Sequence, residues 1–90
     1  MNPARRVDPA GLPPQVAAAV AALEDELGAA AAVWHGRLGA LAEREGPPVA
    51  VHGRDPRELG YLVMAGRARV LLDARSGERI ATALGHKIED

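Results

Sequence analysis

The chain has 90 residues, with 11 Lys and Arg against 12 Asp and Glu, and its formal net charge of −1 disfavours strong non-specific binding to nucleic acid. It contains no Cys, which excludes disulfides and thiolate metal sites. No apolar run reaches the ~18 residues of a membrane span, and the first residues lack the apolar segment of a signal peptide. We therefore expect a cytoplasmic protein with no membrane partner.

The length supports one small domain with a modest core. There is one Trp, one Tyr and no Phe, so the core must consist largely of Ala, Val and Leu. Each contact in such a core buries little area, and binding to a partner or to a second copy is expected to add stability. Residues 52–90 carry seven basic and six acidic side chains, against four and six in residues 1–51. The second half is therefore slightly basic.

The first twelve residues predict a flexible N-terminal arm, followed by a single α+β domain over residues 13–90. Pro3, Pro9 and Gly11 favour irregular backbone in this arm. A short strand over residues 5–7 is the alternative.

Two helices are predicted in the first half of the domain. Pro13 and Pro14 begin a helix over residues 14–27, because Pro is tolerated in a first turn. Its apolar stripe has helical spacing and consists of Val16, Val20, Leu23 and Leu27. A second helix over residues 30–45 follows Gly28, with the stripe Ala31, Trp34, Leu38 and Leu41, in which Trp34 is expected in the core. One long helix over residues 14–44, kinked at Gly28, is the alternative.

The second half predicts strands and turns. Residues 49–52 are a short strand candidate after the helix stop at Gly46-Pro47-Pro48. Residues 55–58 fit either a helix-capping box or a turn, and the apolar run at residues 61–65 favours the turn followed by a strand. Period-two alternation predicts a β-hairpin of residues 67–74 and 78–84 around the turn at Ser76-Gly77.

The predicted fold is α+β, a two-helix hairpin packed on one face of a small antiparallel sheet. Ala68, Val70 and Leu72 then face the helices. The opposite, solvated face carries Arg69 together with Arg67, Leu71 and Asp73. The residues expected to be buried together are Val20, Leu23, Leu27, Trp34, Leu38, Leu41, Val70, Leu72 and Ile80.

Residues 61–87 also carry a family pattern. A strand that begins with Tyr61 leads to a turn at Gly66, and the next strand holds Arg69-Val70-Leu71-Leu72 before an acidic turn at Asp73. A last strand over residues 80–84 precedes Gly85-His86-Lys87. This segment resembles the C-terminal sheet of the RelE/ParE superfamily of bacterial toxin–antitoxin toxins, over about a third of the chain.

The resemblance implies a toxin that cleaves messenger RNA on the ribosome without a metal or other cofactor. The 2′-hydroxyl of the RNA attacks the adjacent phosphate, which requires a base, an acid and cations beside the phosphorane. Arg69 falls at the phosphate-contacting Arg of the family and Lys87 at a second cation, with His86 beside it as a proton carrier. Arg67 is expected to add a further contact to RNA. The implied partner is a cognate antitoxin protein.

Departures from the family pattern keep other functions open. Leu62 and Met64 stand where RNA-cleaving members carry basic residues, and no Tyr follows Gly85-His86-Lys87. ParE-like toxins, which bind DNA gyrase and cleave nothing, lack this equipment as well. A non-catalytic module that binds a partner, or forms a homodimer through a sheet edge, is a further alternative. In that case Arg69 is an ordinary strand residue paired with Asp73 or Glu78.

Overall fold

A five-stranded antiparallel sheet in the order β1-β2-β3-β4-β5 is the frame of the structure. The computed structural model describes residues 4–42 and 54–84. The strands are β1 Ala4–Val7, β2 Ala31–Arg37, β3 Leu59–Ala65, β4 Ala68–Asp73 and β5 Arg79–Leu84. Helix α1, Pro14–Leu27, connects β1 to β2, and the short helix α2, Leu38–Ala42, directly follows β2. The expected α+β class is confirmed, with each strand pairing with the next strand along the chain.

Helices cover both faces of this sheet. On the face called here the α1 face, the buried cluster consists of Val16, Val20, Leu23, Val33, Tyr61, Val63, Val70 and Leu72. On the opposite face, called the α2 face, the buried cluster consists of Leu38, Leu41, Ala42, Leu62 and Leu71. Neighbouring strand residues point to opposite faces. Strand β4 therefore supplies both cores, which explains why Val70-Leu71-Leu72 is an uninterrupted apolar run.

Helix α1 agrees with the prediction for residues 14–27, and its end determines where β2 begins. Gly28 ends the helix in the left-handed conformation, φ 66°, which glycine adopts at little cost, and its N–H donates to the Glu24 carbonyl at 2.8 Å. The Glu24 carboxylate accepts the N–H of Ala31 at 2.8 Å. The first residue of β2 is therefore anchored to the last turn of α1.

The predicted second helix over residues 30–45 is wrong, and so are the two-helix hairpin and the alternative of one long helix over residues 14–44. Residues 31–37 form β2, which pairs with β1 on one side and with β3 on the other. Val33 and Trp34 favour strand conformation, and Gly36 would cost about 1 kcal/mol in a helix interior. Every residue of β2 pairs with β3, and residues 33–36 also pair with β1, so contacts distant in sequence stabilise the strand.

Part of the helical spacing in this segment nevertheless has a structural basis. Leu38 and Leu41 lie in α2, where both are fully buried against the sheet. Trp34 lies on a strand and is only partly buried, so its assignment to a helical core stripe is wrong. The helical spacing arose because strand β2 and helix α2 follow each other directly in the sequence.

The N-terminal residues, for which the sequence predicted an arm, include strand β1. This strand pairs with β2, so that Arg6 lies opposite Trp34 and Val7 opposite Val33. Asp8 then caps a 3-10 turn, Pro9–Gly11, and its carboxylate accepts the N–H of Ala10 at 3.0 Å. The short strand considered for residues 5–7 is therefore present.

The C-terminal hairpin is confirmed to within one residue at each end. The Asp73 carboxylate accepts the N–H of Arg75 at 2.7 Å and that of Ser76 at 3.2 Å, which closes the turn between β4 and β5. Gly77 has φ 74°, and a Cβ at this position would lie 2.6 Å from the Gln15 carbonyl oxygen. The lack of a side chain there lets the turn pack against the first turn of α1.

The remaining predictions have mixed outcomes. The turn at residues 55–58 is present, since the Glu58 N–H donates to the Asp55 carbonyl at 2.9 Å, and the strand candidate at residues 49–52 lies outside the described residues. The predicted single core is wrong, because its members divide between the two faces and Leu27, Trp34 and Ile80 are only partly buried. None of the described helices has the length and apolar character needed to cross a membrane.

Candidate functional site

A row of three functional side chains crosses strands β1, β2 and β3 on the α1 face. Arg5 lies directly opposite His35, and His35 lies directly opposite Tyr61. Residues paired in this way point to the same face, with Cβ atoms roughly 4.5–5.5 Å apart. A base, a phenol and a guanidinium are thus brought into one line from three segments that are distant in sequence.

Contact with Tyr61 holds the His35 ring. The two ring centroids are 4.8 Å apart and the planes are tilted by 43°, a geometry that aromatic pairs favour. Tyr61 is 9% exposed and belongs to the core beneath α1, whereas His35 is partly exposed. A buried phenol ring therefore supports an imidazole that solvent can reach.

Burial and a neighbouring charge favour the neutral form of His35. Burial lowers the pKa of His35 below its ordinary value of 6.5, and the positive charge of Arg5 lowers the pKa further. A neutral imidazole can accept a proton at neutral pH, which is the property of a general base.

Arg37 extends the positive charge along β2. It is exposed, lies two residues beyond His35 on the same face, and is opposite Leu59, which is 54% exposed. None of the ion pairs among the described residues involves Arg5 or Arg37. Together Arg5, His35, Tyr61 and Arg37, called here the His35 site, form a cationic patch on a chain whose net charge is −1.

Two acidic side chains of α1 have partners away from the His35 site. Glu24 accepts the Ala31 N–H, and Glu26 pairs with Arg79 at 2.5 Å, which also lowers the pKa of Glu26 through the hydrogen bond and the charge of that Arg. Because Arg5 and Arg37 form no ion pair among the described residues, their positive charge is available to an incoming anion. A phosphate group fits this chemistry, because a guanidinium can donate to two of its oxygens at once.

Of the residues that the sequence proposed for the site, the structure describes Arg67 and Arg69. Arg69 lies on the α2 face, opposite Met64, and is only 5% exposed, so the expected solvated face is instead a packed one. Arg67 is exposed in the turn between β3 and β4. His86 and Lys87 lie outside the described residues. The proposed roles of these four residues stay predictions.

Asp73 makes a different ion pair from the one considered for Arg69. Its carboxylate binds Arg54 at 2.5 Å, and Arg54 also contacts Glu58 at 3.2 Å. The Arg75 N–H and the Arg54 guanidinium lower the pKa of Asp73. These groups line a depression of about 460 Å³ beside the turn between β4 and β5. Because each carboxylate already has a cationic partner, we interpret this cluster as structural.

The sequence alone missed the His35 site because the helix prediction over residues 30–45 separated His35 from Tyr61. A helical His35 could not pair with Arg5 and Tyr61 across neighbouring strands of one sheet. The available signal was Val33-Trp34-His35, a β-favouring run that follows the helix stop at Gly28. The matching signal in the N-terminal segment was Arg5-Arg6-Val7.

Comparison with protein-family models found no match, and searches among curated proteins and among solved structures found none either. No cluster of three or more potential metal-ligating side chains occurs within residues 4–42 and 54–84. Functional interpretation therefore rests on the site geometry together with the resemblance of residues 61–87.

We predict that His35 titrates below 6.5 in the folded protein. The unfolded chain then binds this proton at a higher pH than the folded chain, so the contribution of His35 to stability is complete above 6.5 and is lost as pH falls through the lowered pKa. Arg5→Ala should raise the pKa only part of the way, because burial is the larger cause. An NMR titration assigned with His35→Gln measures both values.

The matched control for this titration is Arg75→Ala, which removes an exposed Arg from a turn remote from His35 in the strand pairing. This variant should leave the His35 midpoint unchanged. A wild-type midpoint at or above 6.5 would show that the surroundings of His35 are not those described.

Proposed function

We propose that this chain is a cytoplasmic toxin of a bacterial toxin–antitoxin pair, with a RelE/ParE-like fold, and that it cleaves messenger RNA at the His35 site. The observation that carries the proposal is the Arg5–His35–Tyr61 row, which places an imidazole directly beside a guanidinium. The resemblance of residues 61–87 supports the class, and the antiparallel sheet beneath α1 is compatible with the fold.

The proposed chemistry uses the 2′-hydroxyl of the RNA as the nucleophile. His35 takes the hydroxyl proton, the 2′-oxygen attacks phosphorus, and the bond to the 5′-oxygen breaks to leave a 2′,3′-cyclic phosphate. Arg5 donates to the non-bridging oxygens as negative charge accumulates on the phosphorane. Tyr61 keeps the imidazole oriented, and the leaving 5′-oxygen takes a proton from water.

Exposure favours this site over one centred on Arg69. An RNA phosphate can approach Arg5 and Arg37 from solvent, whereas Arg69 is 5% exposed within the packed α2 face. Arg37 lies along β2 from the reacting groups and is placed to attract a neighbouring phosphate of the same strand.

Binding without cleavage is the second candidate, as in a gyrase-binding ParE-like toxin or a non-catalytic interaction module. The observation that favours it is strand β1, which is an outermost strand among those described and carries two adjacent Arg residues. An outermost strand is a template for an added strand from a partner protein such as an antitoxin.

Induction in a bacterium, followed by analysis of cellular RNA, separates the candidates. The proposed function requires growth arrest and new RNA fragments with 2′,3′-cyclic phosphate ends, and the purified protein should yield the same ends from RNA on translating ribosomes. Arrest with intact RNA and inhibited DNA supercoiling would replace cleavage by gyrase binding. Normal growth at a verified protein level would reject the toxin proposal.

A further inference from the structure

Strand β1 combines an outermost position with an unusual charge arrangement. Among the described residues, β2 is the neighbour with which it pairs, and its other side faces away from the sheet. Arg5 and Arg6 are consecutive, so they project to opposite faces, Arg5 to the α1 face and Arg6 to the α2 face. Both are exposed. This strand therefore presents a positive charge on each face beside backbone groups that an added strand can use.

Arg6 is held in place for such a contact. Its guanidinium carbon lies 5.2 Å from the centre of the Trp34 ring, in a cation–π contact across the pair of strands. This contact already restricts the Arg6 side chain in the free protein. Less side-chain entropy is therefore lost when Arg6 forms an ion pair on binding.

The opposite outermost strand lacks these properties. The ladder between β4 and β5 shifts register at Leu71 and Leu72, an irregularity of the kind that blunts sheet edges. Arg79, at the start of β5, is paired with Glu26 of α1. Charge on β5 is therefore partly neutralised within the chain, whereas charge on β1 is not.

A second copy of the chain is a poor partner for β1. Antiparallel pairing across a twofold axis keeps each face continuous, so residues directly opposite must lie on the same face. Two such registers pair three residues of β1 with the second copy. One places Arg5 opposite the second copy's Arg5, and the other places Arg6 opposite the second copy's Arg6. Like charges directly opposite each other are destabilising.

We propose that β1 binds an acidic extended segment of another protein by antiparallel strand addition. Read from its N-terminus, the segment has an apolar residue opposite Val7, acidic residues opposite Arg6 and Arg5, and a small residue opposite Ala4. One acidic side chain then pairs with an Arg on each face of the extended sheet. Because Arg5 belongs to the His35 site, the bound segment also covers the phosphate-binding cation; this consequence for cleavage rests on the proposed function, whereas the binding does not.

The test compares three eight-residue peptides that share their flanks and carry Val-Glu-Glu-Ala, Val-Gln-Gln-Ala or Val-Lys-Lys-Ala at the centre. Calorimetry on the wild-type protein at low salt should show the Glu-Glu peptide binding roughly tenfold more tightly than the Gln-Gln peptide, with no binding of the Lys-Lys peptide. The preference should shrink as salt rises. NMR should show slowed amide exchange along β1 on binding. Equal binding of the Glu-Glu and Gln-Gln peptides would overturn the proposal.

Reversing the two positive charges on β1 provides a second, independent test. Arg5→Glu with Arg6→Glu should reverse the order, so that the Lys-Lys peptide binds and the Glu-Glu peptide does not, while Arg75→Glu on the β4–β5 turn should keep the wild-type order. Unchanged preference in the double variant would place the binding elsewhere. Glu-Glu binding in a protein that cleaves no RNA would overturn the proposed function alone, and RNA cleavage unaffected by saturating peptide would overturn the coverage of Arg5.

Discussion

Replacing His35 with Ala is expected to lower RNA cleavage by ~10²- to 10⁴-fold, the contribution typical of a positioned general base. Arg5→Ala should cost ~10²-fold or more, because it removes the charge-assisted contact to the phosphorane. Single-turnover cleavage of RNA on translating ribosomes measures both effects. Arg5 is exposed, so its removal should leave the thermal unfolding midpoint nearly unchanged. His35→Ala also loses the ring contact with Tyr61 and should lower that midpoint by a few degrees, so cleavage is measured well below it.

The control for these variants is Arg75→Ala, which removes an exposed Arg from the turn between β4 and β5. Activity near the wild-type level is expected for this variant. If instead Arg67→Ala and Lys87→Ala abolish cleavage while Arg5→Ala and His35→Ala retain it, the site lies at the end of the sheet that the sequence predicted. Arg69→Ala is less informative because it alters a buried residue.

Replacing Leu71 with Ala is expected to lower the free energy of unfolding by ~2–5 kcal/mol, the range for truncating a buried Leu. Leu71 is fully buried on the α2 face, and its removal leaves a cavity between β4 and α2. Chemical denaturation measures the change. A sheet covered on one face, as the sequence predicted, would leave Leu71 in solvent and make the same substitution nearly neutral.

Two comparisons sharpen this measurement. Leu72→Ala, on the α1 face of the same strand, should cost a similar amount because Leu72 is fully buried too. Leu59→Ala, at a residue that is 54% exposed, should remain within about 0.5 kcal/mol of the wild type. A Leu71 variant that resembles Leu59→Ala would contradict the two-sided core.

Local sequence signals predicted the structure correctly where the residues involved belong to one helix or one hairpin. The stripe Val16, Val20 and Leu23 specifies α1, and Gly28 ends it in the conformation that glycine favours. The β4–β5 hairpin follows from alternation and from Asp73, whose carboxylate closes the turn. These features depend on contacts between residues close together in the chain, which a single sequence displays.

The prediction of a second helix is wrong because the apolar residues with helical spacing belong to two different elements. Ala31 and Trp34 belong to β2, whereas Leu38 and Leu41 belong to α2. Strand β2 is specified by its neighbours β1 and β3, which are distant in sequence. Tertiary pairing overrode a local pattern that Gly36 already weakened.

The candidate site depended on the same long-range pairing. Arg5, His35 and Tyr61 come from three segments, and only the registers of β1 with β2 and of β2 with β3 place them in one row. The sequence predicts the strand that begins at Tyr61, but it does not predict that Arg5 and His35 lie in the same row. Conversely, the polar residues at 67 and 73 predict a solvated face for Arg69, whereas Arg69 is buried and α2 packs against Leu71 on the same face.

The most direct test of an RNA site at His35 is a titration of its imidazole with a 2′-O-methyl RNA oligonucleotide, which binds without being cleaved. A phosphate bound beside Arg5 should raise the pKa of His35, because it offsets the positive charge that lowers it in the free protein. The expected result is an upward shift in the NMR midpoint at saturating RNA, which Arg5→Ala reduces or abolishes. An unchanged His35 midpoint at saturating RNA would contradict the assignment of RNA binding to this site.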